Sequence, residues 1–537
     1  MPKAHFLFTG KDIDNDNRHS SNNQNTSKKI SITSLILGVL SISLTACFPY
    51  EEQAKKVIIN KNPYPSTYQA LPAESLLLIN ATILTGTGQR LNDTDILLTG
   101  GEVSAIGRNL TALKAKVIDL KGKWLTPGII DVHSHLGVYP SPQVESHSDG
   151  NEMTSPNTSE VWAEHSIWPQ DPGFEAARAG GITSLQILPG SANLFGGRSV
   201  TLRNIPSHTM QGMKFVDAPY GLKMACGENP KRVYGSRKIL PSTRMGNVAG
   251  YRSAWLAATE YKRAWLKYNT DYANGKESEA PKRDLELDTL MGVLEGDILI
   301  HNHCYKAEEM AVMIDLGKEF NYHAGTFHHA VEAYKVADLL AENGNCAAMW
   351  PDWWGFKMEA YDMVEENVAI VDAVKNSCAV VHSDSSTTIQ RLNQEAAKVM
   401  YRANENGFTY KEEDAIKWIT INAAKSLGIE EQVGSLEVGK QADLVIWNTN
   451  PFSVYAQAEQ VFIDGAKVYD RVNKRYQAKS DFLLGQNIDS QALDSQASAN
   501  RVSARLITHN QIQAVTTKPL SDTSSNAVSN SASKDSQ

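Results

Sequence analysis

Residues 125–135 read LTPGIIDVHSH. The apolar pair Ile129 and Ile130 runs straight into Asp131-Val132-His133-Ser134-His135. In an extended strand, side chains two apart share a side, so His133 and His135 present both imidazoles together where the strand ends. Neutral imidazole is the commonest transition-metal ligand, and two on one rigid strand are held in place without ordering a loop. The pair reads as half a metal site. The competing reading is two polar residues leaving a buried strand, and this stretch alone does not choose between them.

Working outward, the same pattern recurs. GDILIHNH (296–303) closes an apolar run on His301 and His303, GTFHHAVEAY (325–334) carries His328 and His329, and AVVHSDSS (379–386) carries His382 and Asp384. Between these and the first pair, GLKMACGEN (221–229) offers Lys223 and Glu228. Each candidate sits where a β-pattern hands over to a loop. Singly, such residues are more often satisfied polar groups than ligands; several in series at that position point to a shared metal site.

Apolar strands such as TSLQILP, DILIH and CAAMW alternate with helical stretches across the middle of the chain, which predicts a parallel sheet closed as a barrel. Both ends have another texture. LLLINATIL, DILLTGGEVSAIG and KVIDLKG near the start, and DLVIW and VFIDGAKVY near the end, are short strands punctuated by glycine. They predict one small β-sandwich built from both ends of the chain. The fold class is therefore α/β, a (β/α)8 TIM-like barrel with that small sandwich. Its parts are expected at 76–126 and 433–478, and the barrel at 127–432.

At these residues the chain resembles the amidohydrolase superfamily, over nearly all of 76–470. LTPGIIDVHSH is similar to the family's first-strand signature, Ser383-Asp384 to its last-strand aspartate, and INAAKSLGIEEQVGSLEVGKQADLVIW (421–447) to its closing segment. PGSANLFGGRSVTLRN, ACGENPKRVYG and HHAVEAYKVADLL resemble the imidazolonepropionase-like branch. The resemblance implies a site at the C-terminal ends of the barrel strands. His133 and His135 would come from the first strand, a bridging group from the fourth, His303 (over His301) from the fifth, His329 (over His328) from the sixth, and Asp384 from the eighth. Two residues compete to bridge. Lys223 is the first choice, but a lysine ammonium has no lone pair and serves only as the N6-carboxylated carbamate; Glu228 is the alternative.

The chemistry so implied is hydrolysis of a carbon–nitrogen bond in a non-peptide or cyclic amide by metal-activated water, with Asp384 as ligand and proton carrier. His382 would orient it, or be a buried hydrogen-bonded histidine. One or two zinc ions suit the imidazole-rich set; iron, manganese and nickel are the other candidates. For a small-molecule amide substrate, Asn193 and the Gly196-Gly197 pair offer close backbone approach. Lys231, Arg232 and Arg244 offer a carboxylate clamp, with surface ion pairing as their plainer role. Trp350, Trp353 and Trp354 would line the pocket or pack its rim. The runner-up activity is a dipeptidase or N-acyl amino acid deacylase, with a deaminase less favoured. From another class comes a non-catalytic envelope-binding lipoprotein.

The 537 residues, 42% hydrophobic and 21% charged, can bury a large core. A net charge of −8 and the absence of a basic cluster interleaved with aromatics exclude nucleic acid as a partner. Oligomeric state stays open, a homo-oligomer included. Lys28-Lys29, the apolar run 30–44 and then Leu44-Thr45-Ala46-Cys47 form a secretory signal with a small-residue end. LTAC resembles the bacterial lipobox, which implies a signal peptide over 1–46 and lipidation of Cys47. A membrane anchor facing the periplasm follows, on the outer membrane because Phe48 follows Cys47. A Pro-bearing tether is expected over 47–75 and a disordered tail over 479–537. Cys226, Cys304, Cys346 and Cys378 remain; buried free thiols are the default expectation, with a Cys226–Cys304 bridge left open.

Overall fold

The structure, a computed structural model, describes residues 56–477; the leader, Cys47 and the 479–537 tail lie outside the described residues. Strands β1 (Leu76–Leu84), β2 (Arg90–Thr99), β3 (Glu102–Gly107), β4 (Lys116–Asp119) and β5 (Trp124–Pro127) are the first strands in the described part of the chain. Strands β6 (Ile129–Ser134), β7 (Ile182–Ile187), β8 (Phe195–Arg203), β9 (Tyr220–Ala225), β10 (Ile298–His303), β11 (Thr326–His328), β12 (Cys346–Met349) and β13 (Cys378–Val381) follow, and β14 (Leu444–Trp447), β15 (Ala458–Ile463) and β16 (Ala466–Asp470) end it.

The first five and last three strands form one sheet, ordered β16-β15-β14-β5-β1-β2-β3 with β4 branching from β1. The two ends of the sequence meet where β14 pairs antiparallel with β5, Leu444 opposite Pro127. Two tight turns set its hairpins. Gly100-Gly101 joins β2 to β3 and Asp464-Gly465 joins β15 to β16, all four residues at positive φ, as turns matched to strand twist require. This sheet is continuous; its hydrogen bonding shows no division into the two layers of the expected sandwich.

Strands β6 to β13 form the second sheet in strict chain order. It is nearly closed: the backbone N–H of Asp384, just past β13, donates to the His133 carbonyl on β6 at 3.0 Å. One strand departs from the all-parallel expectation. β8 runs antiparallel to both β7 and β9. A parallel neighbour needs a crossover of a dozen or more residues, and the loop 188–194 is too short for one. Gly128 is the pivot between the two sheets. A Cβ there would lie 2.0 Å from the Thr183 hydroxyl, so only glycine lets β5 pass into β6.

The helices cover the barrel by their buried stripes. Arg244–Ala273, capped by the Thr243 hydroxyl, buries Tyr251, Trp255, Ala258, Tyr261, Trp265 and Tyr268, a spacing of three and four that faces one side inward. Part of the expected tether is docked on the barrel. The Val57 N–H donates to the Tyr268 hydroxyl at 2.9 Å, and the Lys214 ammonium donates to the Tyr64 carbonyl at 2.6 Å. The prolines hold this segment extended, which lets neighbouring side chains satisfy its backbone.

The cysteines correct the free-thiol expectation. Cys226 pairs with Cys304, and Cys346 with Cys378. Cys346 and Cys378 are register partners on β12 and β13, while Cys226 and Cys304 immediately follow the paired ends of β9 and β10. Register, which spacing along the chain does not contain, makes both pairs neighbours.

Candidate metal centre

The six buried residues of β6 carry Asp131 and His133 inward to the barrel's end. Asp131 is a strap. Its carboxylate accepts from the backbone N–H groups of His133 and Ser383, each at 3.2 Å, and from the Ser383 hydroxyl, tying β6 to the segment after β13. Complete burial pushes its pKa up to about 7 against those hydrogen bonds.

Three of the expected histidines converge around the Asp384 carboxylate. The Nε2 atoms of His135, His133 and His329 lie 3.3, 3.5 and 3.7 Å from the carboxylate oxygens of Asp384. His329 and Asp384 both hold positive φ, 56° and 49°, a left-handed backbone that costs energy outside glycine and collects at functional sites. Lys223 joins them, its Nζ 3.3 Å from His133 Nε2. His303 stands one ring away, its centroid 4.8 Å from that of His329.

The donor set fits a cation. The His135 Nδ1–H donates to the Leu188 carbonyl at 2.8 Å, so a neutral His135 turns the Nε2 lone pair toward an Asp384 oxygen. Two acceptors facing one another at 3.3 Å are repulsive unless a proton or a cation lies between them. Burial holds His133, His303 and His329 well below the usual histidine range, leaving them neutral, the ligating form. His382 is wholly buried with its ring 4.8 Å from that of His329, and neither of its nitrogens has a hydrogen-bond partner. His133, His329 and His382 place ligand atoms within 4.8 Å of one another, as do His133, His135 and Asp384. His382 therefore sits as a donor within this cluster, beyond the orienting role read from sequence.

Other expected residues fall elsewhere. Glu228 opens the helix Glu228–Gly235 and faces the Lys357 ammonium at 3.6 Å, outside the cluster that holds Lys223. Asn193 is buried with its amide committed: it donates to the Glu152 carbonyl and the Thr158 hydroxyl and accepts from Tyr234. It anchors the loop after β7, which leaves no free polar atom for substrate. Arg244 is paired with Glu309 at 2.9 Å and Glu359 at 3.2 Å, and Arg232 is exposed. Beside the carboxylate, Tyr305, Trp350, Trp353, Trp354, Phe356 and Asp384 line a cavity of about 410 Å³. Trp350 stacks on the His329 ring at 4.3 Å and Trp353 stacks on Trp350 at 5.3 Å.

Residues 124–473 match the Amidohydrolase family. The chain belongs to that family. Among solved structures, an amidohydrolase from Thermotoga maritima is 36% identical and superposes with a TM-score of 0.67 over 74% of this chain and all of that one. The amidohydrolase tasK of Hapsidospora irregularis is 30% identical over 396 residues, 70% of this chain but only 40% of that protein's length. An imidazolonepropionase from Treponema denticola is 22% identical over 69% of this chain and 91% of its own. In this amidohydrolase Asp131 and Lys357 carry no signal in the sequence, because hydrogen bonds and ion pairs across strands leave no periodic trace, while His301 and His328, set aside there for His303 and His329, stand in line behind His133.

Proposed function

We propose that this amidohydrolase hydrolyses carbon–nitrogen bonds of non-peptide or cyclic amides with a divalent cation, zinc, held by His133, His135, His329 and Asp384. The observation that carries this reading is the convergence of three imidazole Nε2 atoms on one carboxylate within 3.3–3.7 Å. His303 and His382 extend the donor set to a second ion. When bound, the cation supplies Lewis-acid activation of water and of the substrate carbonyl.

The chain's own residues do the rest. Asp384 takes a proton from the attacking water on its carboxylate and returns it to the departing nitrogen. Its own backbone N–H, tied to the His133 carbonyl, holds that carboxylate on the first strand's histidines. Lys223 is our choice for the bridging group. Burial brings its pKa down to about 7, so much of it is the free amine that takes up carbon dioxide as a carbamate, and it stands among the imidazoles where Glu228 does not. The stacked Trp350 and Trp353 wall favours a substrate with a flat apolar group beside the scissile bond. The deacylase alternative needs a cationic clamp; Arg244 is already neutralised by two carboxylates, which leaves the exposed Arg232 as its remaining arginine candidate.

For location, we propose export with a lipid anchor at Cys47 on the outer membrane, facing the periplasm. Two disulfides support an oxidising compartment. The test of the function is a hydrolysis screen of amides, lactams and N-acyl amino acids by wild type and Asp384→Asn, with bound metal quantified in both. Turnover of Asp384→Asn within about ten-fold of wild type, or wild type retaining less than about half an equivalent of metal, overturns the reading.

A further inference from the structure

Behind His133, on the side away from Asp384, a line of buried side chains crosses the barrel. His133 Nδ1 lies 2.9 Å from His328 Nδ1, and His328 Nε2 lies 2.9 Å from His301 Nδ1. His301 Nε2 lies 3.0 Å from the Gln186 side-chain amide, which is also 3.0 Å from the Ser199 hydroxyl. None of the five is more than 1% exposed, so no bulk water completes their hydrogen bonds.

A neutral imidazole carries one N–H and one lone pair. Three such rings in line are satisfied in only two ways, with every N–H pointing toward Gln186 or every N–H pointing away from it. If all point away, the His328 Nδ1–H donates to His133 Nδ1, the His133 proton sits on Nε2, and no lone pair faces Asp384. If all point toward Gln186, the His133 Nδ1–H donates to His328, the His328 Nε2–H to His301, and the His301 Nε2–H to an oxygen. Only the second arrangement makes His133 a ligand through Nε2.

The amide at the end of the line can serve either arrangement, because a glutamine can present its oxygen or its nitrogen, and the ligand role of His133 selects the one with the oxygen toward His301. With the nitrogen toward His301, Gln186 Oε1 is a buried acceptor without a donor. Turning the amide puts that oxygen between the His301 Nε2–H and the Ser199 hydroxyl, both able to donate, and moves the amide N–H groups to the place the oxygen left.

We propose that Gln186, His301 and His328 are positioning residues forming a tautomer lock, in which the Gln186 oxygen fixes His133 with its proton on Nδ1 and its lone pair on Nε2. The proposal rests on the metal-site reading above and adds to it three residues that touch neither ion nor substrate. A partner that orients a ligating histidine is typically worth about 10- to 100-fold in metal affinity.

The test uses the full chain with 15N-labelled histidine, first metal-free, reading each ring's tautomer from long-range proton–nitrogen spectra, then titrated with zinc against a chromophoric chelator. The expected spectrum shows His133 protonated on Nδ1 and His301 and His328 on Nε2. Gln186→Glu, which keeps an acceptor, retains that pattern and wild-type zinc affinity. Gln186→Met mixes the tautomers and weakens zinc by about 10- to 100-fold. His328→Asn, whose carbonyl can accept from His133, binds zinc within a few-fold of wild type, whereas His328→Phe does not. His133 protonated on Nε2 in the metal-free wild type overturns the proposal, as does wild-type zinc affinity in Gln186→Met. Should Gln186→Met fail to fold, the wild-type spectrum and the His328→Asn titration decide. Zinc binding with the lock intact but no amide hydrolysed would defeat the hydrolase reading alone; an unchanged spectrum and affinity in Gln186→Met would defeat the lock alone.

Discussion

Asp384 meets His133 twice: its backbone N–H donates to the His133 carbonyl at 3.0 Å, and its carboxylate stands 3.5 Å from the same residue's Nε2. The last barrel strand thus hangs its carboxylate on the first strand's histidine, and barrel closure and site assembly become one event. Asp384→Asn keeps the shape and the backbone bond but removes the proton acceptor. We expect kcat to fall by about 10²- to 10⁴-fold, with the thermal midpoint of the metal-free protein little changed; steady-state kinetics beside a melting curve checks both.

Lys223 gives a pH dependence with a definite sign. Burial lowers its pKa from 10.5 to about 7, so between those values the unfolded chain binds a proton that the folded chain does not. Stability of the metal-free protein should therefore rise with pH from about 7 to 10.5, and its contribution is lost as pH falls through the folded value. Denaturant midpoints in carbonate-free buffer test this. Lys223→Met should flatten that window, and an unchanged slope would remove Lys223 as its source.

Metal removal should act on stability as well as turnover. A cation that binds only the folded state at a hundred times its Kd adds about 2.7 kcal/mol. Chelation should lower the melting temperature and abolish activity, and zinc should restore both. In His135→Ala the zinc-induced shift should shrink, because that ring contributes one of the lone pairs facing Asp384.

The aromatic wall separates binding from stability. Trp354 is 56% exposed and Trp350 only 4%. Trp354→Ala should cost less than about 0.5 kcal/mol of stability while raising KM several-fold for amides bearing a flat apolar group. Trp350→Ala removes a buried ring stacked on His329 and should cost about 3–5 kcal/mol. Equal KM values for aromatic and aliphatic amides in wild type would argue against the wall as a substrate contact.

The Cys346–Cys378 bridge closes a separation of 32 residues, and the chain-entropy argument gives it about 4 kcal/mol. The double change Cys346→Ala, Cys378→Ala should lose a stability of that order in denaturant titrations. Activity should survive, because the pair is at the start of β12 and β13, at the end of the barrel away from Asp384.

Much of the site is legible in the sequence. The His133–His135 spacing, the strand-end positions of His303, His329 and Asp384, and the kinship of the two strand-rich ends are periodic or local signals, and these survive in one dimension. Asn193 is misleading for the opposite reason. It looks free in the sequence because its partners Tyr234 and Thr158 lie far off along the chain, whereas Arg244 takes the ion-pairing role the sequence already offered it, with Glu309 and Glu359.

The sequence by itself determined which residue types stand at the end of each barrel strand, since strand alternation and breaker residues are written residue by residue. Only the tertiary structure decided how those ends meet. Register joined Cys226 to Cys304, a short loop turned β8 antiparallel, Lys223 entered the imidazole cluster while Glu228 turned to Lys357, and His301 and His328 lined up behind His133. Each of these depends on distances between strands, and a period along one strand carries no information about its neighbour's offset.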